Sequence, residues 1–209
     1  MKIIIRSTKQ QQRELVEKGF PDKVLVQWLK ENDKFGDNTA GAFFDLTFND
    51  NDVAANEFVN NIPVFVHAVN CICTDIDKPN YIRLNAWHGF LDRRVTELAC
   101  TDKAFKKKAG FIFDTLGWQY AWVADDYGLI AARIISMIIN EGYYALEENV
   151  STKEQIDIAM QLGTNYPFGP FEWGKKIGLK NIVQLLQKLA KQDKRYTISA
   201  LLETEYQQF

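Results

Sequence analysis

The sequence predicts an α/β fold in which a mostly parallel, helix-flanked sheet is followed by an all-α C-terminal domain. Three observations predict it. Short apolar runs rich in β-branched and aromatic residues alternate with helix-type stretches as far as Val123. Nothing after Val123 reads as a strand. The 209 residues, 46% hydrophobic and 25% charged, suffice for two modest cores, and the change of pattern divides them into 1–124 and 125–209.

The elements follow in order. Residues 2–5 are apolar and β-branched, a first strand. Residues 10–19 form a polar helix with Leu15 and Val16 that closes on Gly19, since glycine tolerates the left-handed turn at a helix end. Further strands are expected at 23–26, 42–48, 64–69, 81–87 and 119–123. Residues 101–116 read as a helix, with Thr101 as its N-cap and Gly117 past its end. In the second half, 129–148 carries Ile130, Ile134, Ile135, Ile138, Ile139 and Leu146, a wide apolar face at helical spacing. Ser151-Thr152-Lys153-Glu154 reads as a capping box opening a helix that turns Ile156, Ala159 and Met160 inward and stops at Gly163. Leu179, Ile182, Val183, Leu186 and Leu189 mark another amphipathic helix.

Charge and cysteine usage exclude some classes of partner. Twenty-five basic against 27 acidic residues give a net charge of -2, so no basic field exists to hold a phosphate backbone. The apolar run at the N-terminus is too short for a leader or a membrane span, and no nucleic-acid or membrane partner is expected. Three cysteines, Cys71, Cys73 and Cys100, are an odd count, with the first two too close for a comfortable mutual disulfide. A reducing, cytoplasmic setting is expected.

The turn after the first strand is where an α/β fold of this kind meets a dinucleotide, and glycines there let backbone amides approach the pyrophosphate. This turn reads Arg6-Ser7-Thr8-Lys9-Gln10-Gln11, with no glycine. The second strand ends in Gln27-Trp28, where an acidic side chain would grip the ribose. No NAD is expected in the usual mode. Arg6, Ser7 and Lys9 could attract a phosphate, but a solvated polar loop is the ordinary reading. His67, Cys71 and Cys73 would share one face of an extended segment; without a fourth ligand nearby they read as semi-buried strand residues, and no metal site is expected. His88, with Glu97 nine residues on, is a candidate acid–base pair.

Several motifs in order identify a resemblance. Tyr127-Gly128-Leu129-Ile130-Ala131-Ala132-Arg133, Asn140-Glu141, the run from Thr152 to Gly163, Asn165-Tyr166-Pro167-Phe168-Gly169-Pro170-Phe171-Glu172 and Ile177-Gly178-Leu179 are similar to the C-terminal domain of the 3-hydroxyacyl-CoA dehydrogenase family. The likeness covers about 126–202. In the N-terminal half, 40–50 resembles the family's central strand and acidic turn, and 81–97 resembles the segment bearing its catalytic histidine and glutamate.

The resemblance implies a truncated Rossmann-like domain followed by a helical domain that makes the dimer. It implies a reaction in which histidine takes the proton of a 3-hydroxyl, glutamate orients it and hydride passes to NAD. Carried across residue by residue, Glu97 matches the glutamate, but the histidine position holds Asn85. His88 stands where the family has asparagine, Gly89 where it has proline, and Ala132 where the helical domain supplies an asparagine. The glycine fingerprint, the excursion that helps to hold CoA and the closing glycine-rich aromatic motif are missing. A positioned general base contributes roughly 10²- to 10⁴-fold, and an asparagine amide cannot accept the proton.

Two functions are carried forward. In the first, the chain is a non-catalytic relative with no cofactor, acting as a binding or assembly subunit for an acyl-CoA ligand. Its partner is a second copy joined through the helical domain, or a full-length paralogue. In the second it is an active NAD-dependent 3-hydroxyacyl-CoA dehydrogenase using Glu97 and His88. The sequence also leaves open whether Gly142 loosens its helix or admits a neighbouring backbone.

Overall fold

A computed structural model of the chain describes residues 1–36, 39–50 and 61–208. Its contacts divide the chain into two compact units, Met1–Leu129 and Ile130–Phe209.

The first unit is built on a five-stranded parallel sheet: β1 (Lys2–Arg6), β2 (Leu25–Leu29), β3 (Ala42–Asp45), β4 (Val64–His67) and β5 (Tyr81–Leu84), in the order β2-β1-β3-β4-β5. The order reverses between β1 and β3, with Arg6 opposite Asp45 at their C-terminal ends. Ile3, Ile5, Phe44, Phe65 and Ile82 face one side, against Leu15 of helix α1 (Lys9–Lys18) and Phe113 of helix α3 (Lys103–Leu116). Ile4, Phe43, Val64 and Val66 face the other, so the strands read as continuous apolar runs rather than as alternations. Phe44 stacks on Phe65 with ring centroids 4.5 Å apart. A short helix α2 (Cys73–Ile76) links β4 to β5.

The fifth predicted strand is shorter than expected, because the chain turns at Asn85, whose Oδ1 accepts the Trp87 amide at 2.9 Å. A further strand, β6 (Val95–Leu98), pairs in parallel with β7 (Gln119–Trp122) as a separate two-stranded sheet, tied back by a bridge between Arg83 and Ala99. The α3 cap lies one residue later than predicted: Asp102, not Thr101, accepts the Phe105 amide. Gly117 closes α3 with φ +70°, as the sequence indicates.

The second unit holds helices α4 (Ala131–Glu147), α5 (Lys153–Thr164), α6 (Pro170–Ile177), α7 (Leu179–Ala190), a 3₁₀ turn (Lys194–Tyr196) and α8 (Ala200–Tyr206). Its core is Ile135, Ile139, Trp173, Ile182, Leu185 and Leu186. Three local expectations need correction. The broad apolar face of α4 is not all interior: Ile135 and Ile139 are buried, whereas Ile130 and Ile134 stay exposed. The N-cap of α5 is Thr152, whose Oγ accepts the Gln155 amide, while Ser151 donates to the Gln155 side chain. The helix runs on past Gly163 to a left-handed Asn165 and has no buried residue among Ile156, Ala159 and Met160. Instead α5 is held through Asp157, which accepts the amides of Phe171 and Glu172 at 2.8 and 3.0 Å and so caps α6. Gly169 permits that approach, since a Cβ there would lie 2.3 Å from Asp157. Gly142 admits a neighbour rather than loosening α4: its Cβ would meet the Pro170 ring at 3.2 Å. No helix among the described residues is long and apolar enough to cross a membrane.

Candidate functional site

Open parallel sheets bind ligands at the C-terminal ends of their strands, where the strand order reverses. Here that point lies between β1 and β3, and side chains close it. Arg6 Nη2 and Asp45 Oδ2 pair at 2.5 Å across the reversal, both nearly buried. The same guanidinium donates to Asp33 O at 3.1 Å and lies 4.6 Å from the Phe35 ring centre. Thr47 donates its amide and hydroxyl to Asp45 Oδ1, each at 3.2 Å.

The first turn of α1 is equally occupied. Thr8 Oγ accepts the Gln11 amide and Gln11 Oε1 accepts the Thr8 amide at 3.0 Å, a complete capping box. The Ser7 amide goes to Leu29 O at 3.3 Å. Gln11 Nε2 then crosses the strand ends to Leu46 O (2.9 Å) and Ala86 O (3.3 Å). A dinucleotide's pyrophosphate needs free amides and a close backbone at this corner. The residues present do not fit one: three amides are taken, no glycine allows approach, and a glutamine side chain spans the gap.

The loop after β5 contains the other predicted site residues. Asn85 is 5% exposed, and its Nδ2 is a buried donor with no partner among the described residues. His88, on the surface side of the loop, has Nε2 3.2 Å from Gln10 Nε2 and 3.9 Å from Glu14 Oε1. Glu97 stands on β6, half-buried, with Arg93 as a charge neighbour. The carboxylate beside His88 is therefore Glu14, which sequence spacing did not single out. Gln10, Glu14 and Lys18 recur every four residues along α1 and together hold this loop. Glu14 accepts the amides of Gly89 (3.0 Å) and Leu91 (3.3 Å), and Lys18 donates to Leu91 O, Arg93 O and Thr96 Oγ. A repeat of polar residues at i, i+4 and i+8 was the available signal.

His67 closes β4, and its Nδ1 accepts the Ala86 amide at 3.0 Å. Burial pushes its pKa below the ordinary value, opposed by Asp50 and Asp45. It shares no extended face with the cysteines: the chain leaves the strand after His67, and Cys73 begins α2. Burial and neighbouring Asp125 push the Cys73 thiol up to about 12. Among the described residues no three His, Cys, Asp or Glu side chains gather as for a metal ion.

Residues 128–208 match the family model described as 3-hydroxyacyl-CoA dehydrogenase, C-terminal domain. Over that stretch the chain is similar to the C-terminal domain of the 3-hydroxyacyl-CoA dehydrogenase family. It is 38% identical to the 3-hydroxyadipyl-CoA dehydrogenase of Escherichia coli K12 over 98 residues, 46% of this chain and 21% of that protein. It is also 38% identical to the 3-hydroxybutyryl-CoA dehydrogenase of Bradyrhizobium diazoefficiens over 92 residues, 44% and 31% of the two. The matched stretch thus spans less than a third of those curated relatives. The crystal structure of (S)-3-hydroxybutyryl-CoA dehydrogenase from Ralstonia eutropha superposes on 97% of this chain and 92% of its own, with a TM-score of 0.78. At 15% identity that likeness shows the fold: a Rossmann-like sheet and a helical domain of the family's type.

Proposed function

We propose that this dehydrogenase-family chain performs no NAD-dependent dehydrogenation and acts as a binding or assembly subunit for an acyl-CoA thioester. The observation that carries the reading is Gln11. Its side chain closes the capping box of α1 and bonds Leu46 O and Ala86 O across the strand ends, in the place a cofactor's diphosphate would need. Position 85 adds support. An amide there cannot take a proton from a hydroxyl, which removes a factor of roughly 10²–10⁴. The Asn85 Nδ2 is instead a buried donor in want of an acceptor, and a thioester or 3-keto oxygen supplies one. The reading expects the cytoplasm, with Cys73 and Cys100 as buried thiols.

The test pairs binding with turnover. NADH is expected to give no thermal shift, and acetoacetyl-CoA no NADH oxidation at high protein concentration. Calorimetry with acetoacetyl-CoA is expected to show binding that Asn85→Ala weakens about tenfold, the loss of one buried hydrogen bond. Turnover abolished by Glu97→Gln would overturn the proposal.

A second reading rests on His88, one-third exposed beside Glu14 on a loop anchored by α1. In that reading His88 is the base of an active NAD-dependent 3-hydroxyacyl-CoA dehydrogenase, and His88→Gln eliminates a turnover that Asn85→Ala leaves intact.

A further inference from the structure

The outward face of α3 touches neither the corner nor the loop described above, and folding alone does not explain its charges. Lys103, Lys106, Lys107 and Lys108 occupy its first two turns, and beyond the Asp102 cap the first turn contains no acidic residue. The N-terminus of a helix is the positive end of its dipole and favours carboxylates, while lysines three and four apart repel each other. Among the described residues none of the four is in a carboxylate ion pair. Lys106 Nζ lies 5.4 Å from the Trp122 ring centre, and Lys108 Nζ lies 4.6 Å from that of Phe105 and 3.5 Å from Asn61 O.

An apolar side chain stands out among them. Phe111 follows Lys107 by one helical turn and is 69% exposed, although Ile112 and Phe113 beside it are buried. With Tyr120, Trp122, Lys106, Lys107 and the carboxylate of Asp114 it borders a shallow groove of about 400 Å³ along β7. Gly110 makes room for this arrangement, since a Cβ there would meet the Tyr120 hydroxyl at 2.7 Å.

We propose that this face docks on an anionic lipid surface, with α3 lying along it, Phe111 in the acyl boundary and the lysines on the headgroups. The chemistry is complementary. A protruding aromatic side chain flanked by Lys106 and Lys107, whose ammonium groups outnumber the Asp114 carboxylate, suits an interface that is apolar below and anionic above, and Trp122 and Tyr120 are side chains that settle at such boundaries. The whole chain carries -2, so the attraction is local to this helix and fixes one orientation. No described helix is long and apolar enough to span a membrane, but peripheral docking needs no span.

Sedimentation of the full chain with vesicles tests this. Binding is expected to vesicles of phosphatidylcholine and phosphatidylserine in equal parts, not to phosphatidylcholine alone, and it should fall as salt rises. Phe111→Ser should weaken it about tenfold, and Lys103→Glu with Lys107→Glu by more than about tenfold. All three positions are exposed, so circular-dichroism melts should match the wild type. Absence of binding, equal binding to neutral vesicles, or binding indifferent to Phe111 but displaced by heparin would overturn the proposal. The NADH and acetoacetyl-CoA experiments do not involve this face, so the two proposals fail separately.

Discussion

His67 ties β4 to the turn after β5, and its titration reports on that junction. Burial holds its pKa below 6.5 in the fold, against the pull of Asp50 and Asp45. Between that lowered value and 6.5 the unfolded chain binds more protons than the native one, so stability rises with pH. The contribution is complete above 6.5 and declines as pH falls through the folded value. Urea melts on either side of pH 6.5 should show this decline in the wild type and a flatter profile in His67→Gln. A wild-type profile already flat there would mean that the imidazole is not held neutral. Single residues were the least legible scale in the sequence. The absence of glycine from the corner could be read directly, but the part played by Gln11 could not. A glutamine in a polar helix carries no pattern, and its role depends on two carbonyls, Leu46 O and Ala86 O, brought in from distant strands.

At the scale of elements, the joint between α2 and β5 depends on one carboxylate. Arg83 is wholly buried on β5, where it donates to Ala68 O and Asp126 O and pairs with Asp125. The same Asp125 accepts the Cys73 amide at the start of α2. A buried cation stripped of its partner is far more destabilising than the loss of an exposed pair. Asp125→Ala should therefore lower stability by about 3–5 kcal/mol in chemical denaturation. A loss below about 1 kcal/mol, the range of exposed pairs, would contradict this account. Apolar runs made β1 to β5 legible in the sequence, though with ragged ends. β6 was not, since Val95-Thr96-Glu97-Leu98 is short, half polar and continuous with a segment read as a single unit. α5 was found, but its burial was misjudged, because helical spacing cannot distinguish docking by a core from docking by the Asp157 cap.

At the scale of the whole molecule, the reversal at β1 and β3 and the helical unit reproduce what alternating strand and helix signals indicated. The predicted division preceded Asp125; the contacts place Asp125 and Asp126 with the first unit because Arg83 reaches both. On α4 the helical unit leaves Ile130 51% and Ile134 53% exposed one turn apart, an apolar strip that a second copy would cover. Self-association through this unit is the expected outcome. Sedimentation velocity should show a dimer that Ile134→Lys shifts towards monomer without unfolding it. A wild type that stays monomeric at high concentration would remove self-assembly from the proposed role.

The bonds around Gln11 have a consequence for how this corner can change. Introducing glycine at 7 or 8 would leave Gln11 still spanning the strand ends, with Arg6 still locked to Asp45. Removing Gln11 would strand two carbonyls before any cradle existed. Neither single change supplies a free amide cradle, and the second costs folding stability, so opening this corner would take several changes together.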